Sequence, residues 1–331
     1  MIRYGILGFG HHGRKRLIPA FAGARTSKLD GIWRRDLEMA RENAAEFNIA
    51  HVFPTAEELC ASPDIDAVFV TSPDALHMRD TLLALKHRKP VLCEKPLAMH
   101  ANEAREMLAA ARSAGVAFGV AQNFRYNRSL NLIRHWIEAG RIGKPVFATA
   151  QFCFQSERSP RAWIYDKSLA YSGPIGDVGI HCLDALRYIL QDDVAAVTTI
   201  ARSDLDSSEI ETSAALALAF ASGALGSVSV SFRADYRTLV EVTGEHGAIQ
   251  SENGLSVDSS INVRLLQDGK VVESQELSNG DAYSRMLDAF SETIEGTGTY
   301  AASGEDGLKN QLALDAAYAS WRSGRQEIVT Y

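Results

Sequence analysis

The sequence predicts an α/β architecture followed by an α+β one: a doubly wound parallel (Rossmann) sheet over residues 1–122, then a domain over 123–331 built on a large, mainly antiparallel open sheet. Three observations carry this expectation. In the first third of the chain short apolar runs alternate with helical patterns, as in a parallel sheet covered on both faces. Beyond about residue 145 strand signals follow one another directly and are mostly joined by glycine-containing turns, which suits antiparallel pairing. The 331 residues also exceed the length at which a single hydrophobic core usually stops growing.

Taken in order, an apolar run at 2–7, a helix to about 21, a run at 29–33 and a helix over 36–47 form a first βαβ unit. Runs at 67–70, 91–93 and 117–120 then alternate with helices over 75–86 and 101–113. A helix over 130–139 and the turn Gly143-Lys144-Pro145 lead into the second region. There Leu216, Leu218 and Phe220 alternate with Ala215, Ala217 and Ala219, and Val228, Val230 and Phe232 alternate with Ser227, Ser229 and Ser231. Such strands bury one face and leave a flat row of small residues on the other. Further strands are expected at 239–243, 248–251, 262–266 and 271–274, for a sheet of about five to eight strands. Helices over 282–294 and 305–321 and a short strand at 326–330 complete the chain.

Composition narrows the classes of function. The chain is 46% hydrophobic and 23% charged, ordinary for a globular protein, and no run approaches the roughly 18 apolar residues that cross a bilayer. The run at 2–7 lacks a basic leader, so a cytoplasmic protein is expected. A formal charge of −7 argues against sequence-independent nucleic-acid binding. Arg14-Lys15-Arg16 lies in a helical pattern and reads as a solvated face. Cys60, Cys93, Cys153 and Cys182 are far apart and form no Cys-x-x-Cys pair, which suggests reduced core thiols and no metal centre.

Gly8-Phe9-Gly10-His11-His12-Gly13 follows the first strand and opens the first helix. In that context Gly8 permits the tight turn, Gly10 lets the backbone approach a pyrophosphate, and Gly13 lets helix pack on strand. The helix N-terminus offers free N–H donors and a positive dipole end, so a dinucleotide cofactor is expected here. His11 and His12 are adjacent and cannot share a helix face, which makes them phosphate-loop residues rather than metal ligands. The second strand runs into Arg34-Arg35, and the first acid after it, Asp36, suits a helix N-cap. NADP is therefore favoured over NAD, with Arg34 gripping a 2′-phosphate; Arg34 stacking on adenine and accepting either cofactor stays open.

A second constellation begins at Glu94-Lys95-Pro96, at the carboxyl end of a parallel strand, where open α/β sheets bind ligands. Downstream, Gly173-Pro174-Ile175-Gly176 leads into a helix on which Asp177, His181 and Asp184 fall at i, i+4 and i+7 and share a stripe. Arg161, Trp163, Tyr165 and Asp166 precede it and have the hydroxyl-binding and ring-stacking chemistry of a sugar site, although a surface loop held by a tryptophan would look the same. Asn123, Arg125 and Tyr126 either reach the cleft floor or pin the domain junction.

Together these motifs resemble the family of glucose–fructose oxidoreductase, inositol dehydrogenase and MocA. The marks are the glycine loop, Thr71-Ser72-Pro73 with His77, Glu94-Lys95-Pro96, and Asp177-x-x-x-His181, in that order over nearly the whole chain. The resemblance implies a nicotinamide-dependent oxidoreductase acting on a sugar or polyol, with Lys95, Asp177 and His181 as the catalytic trio. It places Thr71, Ser72 and Pro73, with His77, Glu94 and Lys95, at the cofactor; from their own chemistry and position Asn123, Arg125, Trp163 and Tyr165 join the trio as candidate substrate residues. It further implies a second domain like that of glyceraldehyde-3-phosphate dehydrogenase, whose sheet joins the chain into a homodimer or homotetramer. His181 is the expected proton acceptor in oxidation, though whether it or Lys95 makes the direct proton contact stays open, as do a nucleotide-binding sensor without turnover and a reductase of C=N or C=C bonds.

Overall fold

The computed structural model describes residues 1–158, 161–204, 210–257 and 260–331. The chain divides into two compact units. The first holds Met1–Gln122 together with Ser168–Tyr171 and Tyr283–Leu308; the second holds Asn123–Lys167, Ser172–Ala282 and Lys309–Tyr331. A single cut after residue 122 is therefore too simple, because two later segments return to the first unit.

In the first unit, β1 (Ile2–Leu7), β2 (Ser27–Trp33), β3 (His51–Val52), β4 (Ala67–Val70), β5 (Val91–Cys93) and β6 (Phe118–Val120) form a wholly parallel sheet in the order β3-β2-β1-β4-β5-β6. Chain direction along the sheet reverses between β1 and β4, which makes the carboxyl ends of these strands the topological switch point. β4 and β5 are buried along their whole length, which is why they lack polar alternation. The helices are α1 (Ile18–Gly23), α2 (Leu37–Phe47), α3 (Ala56–Ala61), α4 (His77–Lys86) and α5 (Ala101–Ala114). Asp36 caps α2 by accepting from the Met39 N–H, and Thr55 caps α3 by accepting from the Glu58 N–H.

The returning segments are anchored by polar contacts. The Tyr4 hydroxyl lies 2.9 Å from Ser291 Oγ, and the Asp288 carboxylate accepts from the backbone N–H groups of Arg25 and Thr26. Tyr300 donates to the Val120 carbonyl at the end of β6. Ala75 N–H donates to the Leu169 carbonyl and Tyr171 N–H to the Asp74 carboxylate.

In the second unit α6 (Arg128–Glu138) and α7 (Ile180–Leu190) accompany a sheet of β7 (Pro145–Cys153), β8 (Val194–Arg202), β9 (Ser213–Phe220), β10 (Leu225–Ser231), β11 (Arg237–Gly244), β12 (Gly247–Glu252), β13 (Ser260–Gln267), β14 (Lys270–Ser278) and β15 (Glu327–Ile328). The order is β14-β13-β12-β11-β7-β10-β9-β8-β15, and every neighbour pairs antiparallel except β7 with β10. Among the described residues the sheet thus has nine strands, more than the five to eight expected, and β7 and β8 are the strands that the alternation pattern did not reveal. The chain's last two helices are α8 (Ala282–Ile294) and α9 (Gly304–Ser323).

The small-residue rows face outward. Leu216, Leu218, Val228 and Val230 are buried, whereas Thr149, Ser227, Ala217 and Thr198 stand in register across four neighbouring strands on the other face. Ser231 departs from its row: it is buried and its hydroxyl meets that of Ser213. All four cysteines are buried and free.

Candidate active site

At the carboxyl end of β1 the glycine loop has the shape a pyrophosphate needs. Gly8 has φ +89°, and a Cβ there would fall 2.6 Å from the Ser72 backbone, so the position admits only glycine. At Gly10 an added Cβ would meet nothing nearer than 3.7 Å, which leaves the backbone open to close approach. At Gly13 it would fall 2.8 Å from the Phe9 ring. Phe9 is buried against Gly13 and Phe47, so its side chain anchors the loop from within. The helix leaves the loop through a widened π turn over Gly13–Leu17, a feature frequent at functional sites. Cradle, open glycine and helix N-terminus together fit a dinucleotide. Arg34, after β2, donates to Asn43 Oδ1 at 3.1 Å, Arg35 is exposed, and Asp36 is engaged as the α2 cap.

The loops after β4 and β5 are linked to this cradle and to each other. Thr71 Oγ1 donates to the Gly8 carbonyl at 3.1 Å. His12 Nε2 lies 2.9 Å from Glu94 Oε1, and Glu94 Oε2 accepts from the Lys95 N–H at 3.2 Å. Burial alone would raise the Glu94 carboxyl, but His12 and Lys95 outweigh it and bring its pKa down to about 2. The glycine loop and the lysine are therefore joined through one ionised carboxylate. His77, expected at the cofactor, is 1% exposed and lies behind these loops. Its Nδ1 is 2.8 Å from the Pro96 carbonyl and its Nε2 2.9 Å from the Ser72 carbonyl. Carbonyls only accept, so both ring nitrogens must carry protons. Burial opposes that charge; the Cys93 sulfur, Asp74 and the Pro96 carbonyl favour it and raise the pKa to about 10.

In the second unit Asp177 lies in a π turn over Ile175–Gly179 that leads into α7, and His181 follows at the first turn of that helix. Both Asp177 oxygens accept from Arg161, at 3.0 and 2.7 Å. This bidentate geometry is the strongest that a carboxylate and guanidinium can form. His181 is 8% exposed, with the Phe124 ring centroid 4.5 Å and the Phe152 centroid 6.3 Å from its own. Asp184 is buried and accepts from Arg125 at 2.7–3.1 Å and from Asn310 at 2.7 Å. Arg125 was expected at the substrate. Its guanidinium is instead 5% exposed, committed to Asp184 and laid over the Tyr188 ring, which makes it a strut between the turn after β6 and α7. Trp163 is partly exposed, and Tyr165 meets Ser156 through its hydroxyl and Phe232 through its ring.

Two contributors were not anticipated. Glu211, wholly buried, accepts from the N–H groups of Gly173 and Ile175 and so fixes the turn that carries Asp177; burial raises its pKa despite these bonds. At Gly173 an added Cβ would fall 1.9 Å from the Glu211 carbonyl oxygen, so this approach requires glycine. Gln122, just past the end of β6, is 1% exposed, and neither atom of its amide has a partner among the described residues. A buried amide without partners costs on the order of 1–3 kcal/mol, which marks the position as one that a ligand or water satisfies. Asn123 Nδ2 is in the same condition. A lone acid before a strand and a glutamine after one carry no pattern that sequence alone would single out, whereas Asn123 was among the residues expected at the cleft.

Residues 2–122 match the family model for oxidoreductases with an NAD-binding Rossmann fold, and residues 130–250 match the GFO/IDH/MocA C-terminal domain. The chain is 31% identical to 1,5-anhydro-D-fructose reductase of Ensifer adhaerens over 99% of both chains. It is 29% identical to D-xylose 1-dehydrogenase (NADP(+)) 2 of Haloferax volcanii over 97% of this chain and 98% of that one. Among solved structures, aldose-aldose oxidoreductase of Caulobacter crescentus complexed with glycerol superposes with a TM-score of 0.91 at 25% identity, over 99% of each chain. No described helix is long and apolar enough to cross a membrane. The chain belongs to the GFO/IDH/MocA family of oxidoreductases, and its first unit is an NAD(P)-binding Rossmann unit.

Proposed function

We propose that this oxidoreductase exchanges hydride between NADP(H) and a sugar, anhydro sugar or polyol, with Lys95, Asp177 and His181 acting on the substrate. The observation that carries the reading is the chain of contacts from the glycine loop through His12 and Glu94 to the Lys95 backbone. It ties the lysine to the cofactor cradle within one unit. The likeness to anhydrofructose and xylose enzymes over nearly full length supports the substrate class.

When bound, the nicotinamide supplies or accepts the hydride. His181 accepts the hydroxyl proton in the oxidative direction, a role that typically contributes about 10²–10⁴-fold in rate. Lys95 places a cation at the reacting oxygen and favours the developing alkoxide. Asp177 is fixed by Arg161, yet a carboxylate has about four lone-pair sites and so can still accept from a neighbouring substrate hydroxyl. Asn123 and Gln122 offer buried amides, and Trp163 a ring face, to the rest of the substrate or the nicotinamide. Arg34, buttressed by Asn43, would hold a 2′-phosphate, while Asp36 is engaged as a helix cap.

We also propose a cytoplasmic homo-oligomer, a dimer or tetramer, formed through the open sheet. Phe147, Ile200 and Leu225 are exposed beside the flat rows of Ala215, Ala217, Ser227 and Ser229, a surface that permits sheet-to-sheet approach. Sedimentation showing only monomer at micromolar concentration would defeat this part.

A screen of aldoses, ketoses, inositols and anhydro sugars with NADP(H) and NAD(H), followed by the absorbance of the reduced nicotinamide, tests the main reading. Turnover of at least one polyhydroxylated substrate is expected. Cofactor binding without turnover on any of them would contradict it.

A further inference from the structure

We propose that His77 is a positioning residue: by donating to the Ser72 and Pro96 carbonyls at once, it sets the loop after β4 against the loop that carries Lys95. This inference rests on the reading above, in which those two loops serve the cofactor and the proton.

The geometry needs both bonds. Ser72 and Pro96 lie just beyond the ends of adjacent strands, β4 and β5, whose register runs only to Val70 and Cys93. Beyond those residues the Glu94 N–H donates to the Val70 carbonyl, the last backbone bond between the two loops among the described residues. The imidazole of His77, at the first position of α4, spans the gap with distances of 2.8 and 2.9 Å to two carbonyls. One loop thus connects to the glycine cradle through Thr71, and the other through Glu94 and His12. His77 closes the third side, so the lysine, the cradle and the Ser72 loop form one bonded ring.

No other side chain of similar size does this. Asn or Gln presents its two donors from one nitrogen and an acceptor from the other end, and that acceptor would face a carbonyl oxygen. A neutral imidazole would likewise set a lone pair against one carbonyl. The groups that face His77 are Asp74 in the preceding turn, Cys93 on β5 and the two carbonyls; of these only the Cys93 thiol can donate, and it is a weak donor that also reaches the Leu97 carbonyl. A Lys95 ammonium displaced by about an ångström from its working position loses on the order of 10²-fold in rate, which is the scale of effect a loosened brace produces.

His77→Gln and His77→Ala test the proposal against a simple folding role. For each variant that folds, kcat should fall about 10²-fold, while affinity for ADP-ribose or its 2′-phosphate, which lack the nicotinamide, stays within about twofold of wild type. His77→Gln, which keeps one donor nitrogen, should lose less than His77→Ala. A folded variant with kcat within about twofold of wild type would overturn the inference, and so would parallel loss of ADP-ribose affinity and kcat. Should neither variant fold, the nitrogen-15 spectrum of the wild-type protein near neutral pH decides: both His77 ring nitrogens protonated is the expected result, and a neutral tautomer overturns it. A wild type without nicotinamide-dependent turnover sinks the functional reading itself. A working wild type beside an indifferent His77→Gln sinks only this inference.

Discussion

Glu94 in the first unit is paired with an imidazole, that of His12, whereas Asp177 and Asp184 in the second are paired with the guanidinium groups of Arg161 and Arg125. His77 extends the contrast, since it too holds its loops through an imidazole. A guanidinium stays charged at every pH a protein survives, and an imidazole does not. The two units therefore solve the same problem, fixing a charge near a proposed catalytic group, with opposite sensitivity to protons. On the cofactor side rising pH can remove the imidazole proton that holds the loops, whereas the guanidinium partners of Asp177 and Asp184 keep their charge.

The largest effect that would break this contrast is expected at the Arg125–Asp184 pair. Arg125→Ala leaves a buried carboxylate without its cation and should destabilise the protein by about 3–5 kcal/mol. The denaturant midpoint should shift by a similar amount at pH 6 and at pH 9; a loss that vanished at one of these (roughly the two sides of the imidazole range) would place the pair on the titrating side. Next in size, Lys95→Ala should lower kcat by about 10²-fold while leaving cofactor affinity nearly unchanged. If cofactor binding alone collapsed, the lysine would belong to the nucleotide site.

Stability against pH separates the two units further. The His77 value is raised from 6.5 to about 10, so its contribution is complete below pH 6.5 and is lost as pH rises through 10. The Glu94 value is depressed from 4.5 to about 2, so its contribution is present above pH 4.5 and is lost as pH falls through 2. Hydrogen exchange should accordingly show the β4 and β5 loops loosening at the alkaline end before the turn around Asp177. The smallest effect is expected at the ribose: NADP(H) should be preferred by about tenfold in kcat/KM, and Arg34→Ala should remove most of that margin. A wild-type preference for NAD(H) would contradict the assignment of Arg34.

What the sequence made legible was local. The glycine loop, Asp36 as a cap and the Asp177–His181 spacing depend on neighbours within one turn, and each stands where expected. The first sheet was readable because its central strands are buried on both faces. β7 and β8 escaped because their burial is inverted. In β7 Phe147 is exposed while Ala148 and Ala150 are buried, and in β8 Thr199 is buried while Ile200 is 77% exposed. Alternation of apolar and polar residues cannot reveal a strand whose large apolar side chains point outward. Arg125 was assigned to substrate because its partner lies 59 residues away, and a tertiary ion pair leaves no periodic trace. Glu211 and Gln122 were invisible for the same reason: their roles come from what folding places beside them.

Under the proposed function His181 handles the substrate proton in a nicotinamide-dependent reaction. Its most direct test is the single-turnover rate of hydride transfer for wild type and His181→Ala, each saturated with cofactor and with the best substrate of the screen. The variant is expected to bind NADP(H) as wild type does and to transfer hydride at least about 10²-fold more slowly. Transfer at the wild-type rate would remove His181 from the reaction.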